Sequence, residues 1–531
     1  MNKKIFTNGK IYTLDESAPL VEAVVVENGR IVDLGSHRNM VLNWGSVDTN
    51  IVDLQGNTMT PGLTDSHLHL SGVALRFLEL DLTGVKSKNE MLERIKERAN
   101  SIPKGQWLIG MGWDENLFTD GNIPTIKELD YVAPHCPIFL KRICYHAFLI
   151  NSKALEQIGY HSKISISHGG SIVLDESTKQ PTGLLLESAS QLVSNQIPDR
   201  SYQELKQGLE QAMKYAIKRG LTSVHTNDPL YLGGFDQTYQ MYDELINQEN
   251  KGLRCNLLID YPFLSRLRER KMGIGYGNEK LQIGGIKMFA DGALGRRTAL
   301  LSEPYTDDLT QYGEAIQDQA SFYEMVKEIR AAEMPIAVHT IGDHALENVL
   351  NVLNQFPPVK QRDRIIHASV LNGELISKLA KSSIIVDIQP RFVVSDYPWV
   401  IDRIGKNREP YLYPFKTLLS AGVLCAGGSD APVEPVDPLL GIHAAVSRNT
   451  IGNPQQVWNE VERLTIEEAL KIFTIGGAYA TNEEASKGTI SIGKLADMTV
   501  FSKDLLSIQH PDELLDTKIK MTIIDGEIQE V

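Results

Sequence analysis

Only four cysteines, Cys136, Cys144, Cys255 and Cys425, occur in 531 residues, and no two stand in CxxC spacing. That excludes a disulfide framework and a zinc ribbon and leaves buried thiols as the expectation. No stretch approaches the roughly 18 consecutive apolar residues of a membrane span. The opening IFTNGKIYTL, after Lys3 and Lys4, is too interrupted for the apolar region of a signal peptide. A cytoplasmic protein is expected. Basic residues are also in deficit: 53 Lys and Arg against 67 Asp and Glu leave a net charge of −14. Such a surface repels phosphate backbones, so neither nucleic acid nor membrane is expected as a partner.

What is present is ordinary globular material, 42% hydrophobic and 23% charged, ample for a large core. Both ends read as short β segments. KKIFTNGKIYTL and VEAVVVENGRIVDLG open the chain, with Asn8-Gly9 and Asn28-Gly29 as hairpin signals, and KGTISIGKLADMTVFS and KIKMTIIDGEI close it, with Asp525-Gly526 as another turn. Residues 1–57 and 485–531 are therefore expected to form one composite β-sandwich domain. From about residue 58 to 484, apolar runs alternate with helix-like stretches such as SYQELKQGLEQAMKYAIKRG. The candidate strands are TMTPGLTDSH, LTSVHT, RCNLLID, IGGIKMFA, PIAVHT, RIIHAS, SIIVDIQ and VLCAGGSD. Eight βα steps predict an α/β fold of the distorted TIM (β/α)8 barrel type. Residues from about 87 to 200 are too many for one connection and carry their own strand-like runs, WLIGMGW and PIFLKRICY, so they are read as an insertion over the barrel mouth.

Active sites of such barrels lie where the strands end. The strand ends here carry His67, His69, His225, Lys287, His339, His367 and Asp430, all groups able to ligate or bridge metal ions. His67 and His69 stand two apart, so a strand presents both rings on one face. Lys287 lies in the apolar run GGIKMFA, where burial would favour its neutral amine. Pairing with Asp291 is one way to compensate it. Uptake of carbon dioxide to give a carbamate that bridges two divalent ions is another. Asp430 follows two glycines that allow close backbone approach, and Pro432 stops the strand from continuing. A carboxylate there can bind metal and exchange a proton.

PGLTDSHLHL, followed in order by Lys287, His339, His367 and Asp430 and by KGTISIGKLADMTVF, resembles the amidohydrolase superfamily over nearly the whole chain. LIGMGWDENLF, YHAFLINSKAL, IKMFADGALGRRTALL and AVHTIGDHALENVL resemble the branch that includes N-substituted formamide deformylases. The resemblance implies His67, His69 and Asp430 on one divalent ion, His339 and His367 on the other, and carbamylated Lys287 between them. Zinc is the default ion, with manganese, iron, nickel or cobalt fitting the same ligands. A metal-activated hydroxide would attack an amide-type small molecule, and Asp430 would pass the proton to the leaving nitrogen.

Two positions depart from the branch: Ile366 stands where Glu usually precedes the strand-six histidine, and His344 stands where Arg is usual. Trp113, His146, His225, Asp291, Arg296 and His344 are candidate substrate-pocket residues, beside Asp114 and Arg297. Ser429 in GGSDA nearly matches a GxSxG nucleophile elbow, but Ala431 takes the last position. GTISIGKL mimics a phosphate loop without the Ser or Thr that loop requires. A metal-dependent deaminase or lactonase and a non-catalytic interaction barrel remain as alternatives, and homo-oligomer formation is left open.

Overall fold

The structure, a computed structural model, describes residues 3–119, 121–144, 146–160, 170–453 and 455–530. The chain divides into two compact units, residues 1–72 with 212–531, and residues 73–211.

In the first unit, eight strands from both ends of the chain join in one hydrogen-bonded sheet: Lys3–Tyr12, Leu20–Glu27, Arg30–Gly35, Thr49–Asp53, Thr58–Pro61, Met498–Phe501, Ile519–Ile524 and Glu527–Ile528. Strands at opposite ends of this sheet share one core, with Phe6, Val24 and Ile31 packed alongside Met498, Val500 and Ile523. Helix His37–Trp44, capped by the Ser36 side chain, packs at a second cluster around Ile5, Val25 and Met40. Asn28-Gly29 and Asp525-Gly526 both take the left-handed conformation and turn two-residue hairpins.

Asn8-Gly9 does not turn a hairpin. It bends a single strand at a bulge, so that Lys3–Thr7 pairs with Thr49–Asp53 while Lys10–Ile11 pairs with Thr58–Met59. Only glycine fits after the bend, because a Cβ on Gly9 would lie 2.4 Å from the Asn57 carbonyl oxygen. The run TMTPGLTDSH likewise divides, with Thr58–Pro61 in the terminal sheet and Leu63–Leu68 in the barrel. Of KGTISIGKLADMTVFS, Met498–Phe501 alone is strand.

The barrel strands are β1 (Leu63–Leu68), β2 (Leu221–Asn227), β3 (Arg254–Asp260), β4 (Leu281–Phe289), β5 (Ile336–Thr340), β6 (Arg364–His367), β7 (Ile385–Ile388) and β8 (Leu424–Gly427). They lie side by side in chain order, all parallel. Nearly every strand residue is buried, which explains the continuous apolar runs. No ladder joins β8 to β1. The seam is closed just past the strand ends, where Asp430 N donates to the His67 carbonyl at 2.8 Å and His69 N to that of Ala431 at 2.7 Å.

The second unit is built on a six-strand sheet that includes Leu80–Asp81, Leu108–Trp113, Ile138–Arg142, Ala147–Ile150, Ser171–Leu174 and Pro181–Leu186. It is wider than residues 87–200 because Leu80–Asp81 pairs with Leu108–Trp113. Tyr145 of the YHAFLIN segment lies outside the described residues. Cys136, Cys255 and Cys425 are buried, whereas Cys144 is exposed, on the turn after Ile138–Arg142. Among the described residues no helix is long and apolar enough to cross a membrane.

Candidate metal centre

β1 supplies His67, His69 follows one residue past its end and keeps the strand's parity, and the loop after β8 carries Asp430 to meet them. Asp430 Oδ1 lies 3.4 Å from His67 Nε2 and 3.5 Å from His69 Nε2. Two ligand atoms each about 2.1 Å from one ion at a tetrahedral angle stand about 3.4 Å apart, so these atoms are spaced as ligands are. Both ring nitrogens of His67, buried at 1% exposure, lack a hydrogen-bond partner among the described residues. Buried polar atoms are rarely left so unless an ion or water completes them.

His339 and His367 form the neighbouring pair, with ring centroids 4.5 Å apart. His367 is 5.9 Å from His67 by the same measure. Strand alternation keeps Ala337 and Ile366 with Leu258 in one small cluster and would send His367 to the opposite face. The strand ends at His367 with φ of +82°, followed by Ala368 at +48°, and this turn aims the ring at His339. Asp430 also sits at positive φ, +56°. Non-glycine residues at such angles cost of order 1–3 kcal/mol each, and they gather where geometry is imposed for function.

Three of the four histidines have one nitrogen occupied. His69 Nδ1 donates to the Asn227 carbonyl at 2.8 Å, His339 Nε2 to that of Gly292 at 3.0 Å, and His367 Nδ1 to Gln389 Oε1 at 2.7 Å. These bonds fix the tautomer and leave the other nitrogen's lone pair free. Burial, reinforced by the positive Lys287, holds all four imidazoles below the usual histidine range, His339 at about 3, so they stay neutral and able to ligate.

Lys287 projects from β4, 2% exposed, with Nζ 4.4 Å from the centre of the Phe289 ring. Burial lowers its amine and raises the Asp430 carboxyl, while the attraction between the two opposes both shifts. Asp65, on the same face of β1 as the histidines, accepts from Ser429 N at 3.0 Å and His67 N at 3.2 Å and so locks the Asp430 loop to the histidine strand. Its position two residues before His67 was a signal available in the sequence. Gln389 had none.

Aromatic rings border the cluster: Tyr231 lies 6.0 Å from His69, Phe289 5.3 Å from His339 and Phe392 6.1 Å from His367. Tyr231 and Phe289 are exposed.

The other candidates are dispersed. His225 is fully buried inside the barrel near Arg364 and Lys487. Asp291 is buried, and its carboxylate accepts backbone N–H groups of Leu300, Ile341 and Gly342, so it organises the loop beside His339 instead of facing an open pocket. Arg296 is exposed after β4. His344 is half-buried in the first turn of helix Asp343–Leu353, 3.5 Å from Glu347. Trp113 is a core residue of the second unit, its indole donating to the Leu140 carbonyl at 3.1 Å. His146, in that unit, is exposed and contacts Glu187 at 2.9 Å. Ser429 is tied into the Asp430 loop: its hydroxyl oxygen accepts from Ala431 N at 3.0 Å, and its side chain is hydrogen-bonded to Asp65.

A family model described as the amidohydrolase family matches residues 50–529. A protein of Bacillus subtilis (strain 168) named as an amidohydrolase, YtcJ, is 42% identical over 529 residues, 99% of each chain. The N-substituted formamide deformylase of Arthrobacter pascens is 27% identical over 548 residues, 99% of this chain and 98% of that one. An uncharacterized metal-dependent hydrolase from Pyrococcus furiosus has a similar structure, with a TM-score of 0.77 and 30% identity, covering 95% of this chain and 100% of the other.

Proposed function

The chain belongs to the amidohydrolase family, and we propose that it cleaves the C–N bond of an N-formyl or N-acyl amine at a centre of two divalent ions. The observation that carries this reading is the meeting of His67 and His69 with Asp430, beside the His339–His367 pair and Lys287, with all four imidazoles held neutral. His67, His69 and Asp430 would hold one ion, His339 and His367 the other, with zinc as the default. When bound, such ions lower the pKa of a water molecule and polarise the substrate carbonyl.

The chain's own residues supply the rest. The neutral amine of Lys287 could add to carbon dioxide, forming an N–C bond and releasing one proton, and would then supply a carbamate to the two ions. Asp430, lifted by burial toward neutrality, takes a proton from the attacking water and delivers it to the departing nitrogen. The products are a carboxylate and an amine. Tyr231, Phe289 and Phe392 offer the substrate apolar and aromatic surface next to the reacting carbonyl. The partner is thus a small amide, not a nucleic acid or a membrane, and the unpaired thiols suit a cytoplasmic setting.

The test is turnover by zinc- or cobalt-loaded protein of a panel of N-formyl and N-acetyl amines, with lactones and amino-substituted heterocycles alongside. Amine release that stops on chelation is expected. Ammonia release or lactone opening without amide cleavage would replace the reading by a deaminase or lactonase. Metal-loaded protein inert to the whole panel would favour a non-catalytic barrel.

A further inference from the structure

One ion pair inside the barrel has no part in the chemistry above. Arg364 opens β6 and Asp387 lies in β7, with side chains 4% and 0% exposed. The guanidinium forks onto the carboxylate, Nε to Oδ2 at 2.8 Å and Nη2 to Oδ1 at 2.9 Å. Nη2 also donates to the carbonyl of Ser66 in β1, the oxygen of the peptide that leads into His67. On the other side, the Asp387 carbonyl accepts from Gln389 Nε2 at 3.0 Å, which aims Gln389 Oε1 at His367 Nδ1, 2.7 Å away. One planar cation therefore ties the strand of the first histidine pair to the two strands that carry and orient His367. β1 and β6 are not neighbours in the sheet, so this link runs across the barrel.

Stability does not explain it. Enclosing two charges costs about as much as their attraction returns, and apolar residues of similar volume often replace such pairs without loss. Leu258, Ala337 and Ile366, on β3, β5 and β6, already pack in an apolar cluster. What an apolar pair cannot supply is a bidentate fork with a third acceptor, which holds three strands at set distances and angles.

We infer that Arg364 and Asp387 are positioning residues that set the His67–His69–Asp430 cluster at a fixed distance from the His339–His367 pair, and thereby determine how tightly the second ion binds. The inference rests on the proposed two-ion centre. Neither residue touches the reacting atoms.

The experiment is a titration of metal-free protein with Zn2+ against a chelating dye, for wild type, for Arg364→Met combined with Asp387→Leu, and for Arg364→Lys. The double substitution removes both charges and leaves neither stranded. It should melt like the wild type, bind the first ion unchanged and bind the second about 10–100-fold more weakly, the usual loss when the groups that orient ligands are removed. Arg364→Lys, which keeps the charge without the fork, should fall between. Second-ion affinity within about threefold of wild type in the folded double variant would overturn the inference, since orienting groups are worth at least about tenfold. Should the double variant not fold, wild-type affinity in Arg364→Lys would do the same. A wild-type protein that binds fewer than two ions would overturn the two-ion reading itself, and is recognised before any variant is compared.

Discussion

Replacing Asp430 by Asn separates proton transfer from architecture. The substitution is isosteric and keeps an oxygen near His67 and His69, whose Nε2 atoms lie 3.4 and 3.5 Å from Asp430 Oδ1. An amide cannot take up the proton of an attacking water. A positioned general base is worth about 10²–10⁴-fold, or about 2.7–5.4 kcal/mol of barrier at about 1.36 kcal/mol per decade. Turnover of metal-saturated Asp430→Asn should fall by that amount. Stability should not fall with it. Burial raises the Asp430 carboxyl, so in metal-free protein the native state keeps a proton that the unfolded chain releases. Stability therefore declines as pH rises from the unfolded value through the raised one, and at neutral pH the carboxylate opposes folding. Metal-free Asp430→Asn should melt no lower than wild type at about pH 8. The assays are amine release under metal saturation and thermal melts in chelator. Turnover within about tenfold of wild type at full metal content would refute the proton role, which is worth at least about 10². A lowered melting temperature would instead give Asp430 a structural role.

Ser429→Ala loses the hydrogen bond that Ala431 N donates to the hydroxyl oxygen, worth about 0.5–1.5 kcal/mol, so turnover should stay within about tenfold of wild type; abolished activity would restore the serine as a nucleophile. Arg254, 2% exposed, joins β3 to Asp497 and Asp525 beside the terminal sheet, and Arg254→Ala should cost about 3–5 kcal/mol in urea unfolding by stranding the buried Asp497 carboxylate, while Asp525 keeps Lys280. A loss under about 1 kcal/mol would show that this buried network does not bind sheet to barrel. Because burial lowers the Lys287 amine, its neutral share grows as pH rises through that lowered value, so bicarbonate should increase metal uptake more at about pH 8.5 than at about pH 6.5. An equal effect at both pH values would count against a carbamate.

The barrel was legible because strands covered on both faces carry short apolar runs, such as Leu257–Ile259 of β3 and Ile336–Val338 of β5, although β2, LTSVHTN, is buried while mostly polar. His67 and His69 were legible for the same geometric reason, a period of two with Asp65 in step. Other features depend on what the chain meets in three dimensions. Asn8-Gly9 and Asn28-Gly29 are the same dipeptide, yet one bends a strand to exchange partners and the other turns a hairpin, a choice made by Asn57 and Leu54 packed against Gly9. That His225 and Trp113 are enclosed depends on neighbours distant in the chain, which the local pattern does not reveal. His367 reaches the centre through a left-handed backbone angle at a non-glycine residue, which no local pattern announces. Gln389 and Arg364, lying 22 residues on and three residues before His367, carry roles visible only from their partners.

The central claim, a two-ion centre bridged through Lys287, is tested most directly by counting ions. Protein purified without chelator and with bicarbonate present should hold close to two divalent ions per chain, falling sharply in Lys287→Ala. A single ion per chain, unchanged by Lys287→Ala, would contradict it.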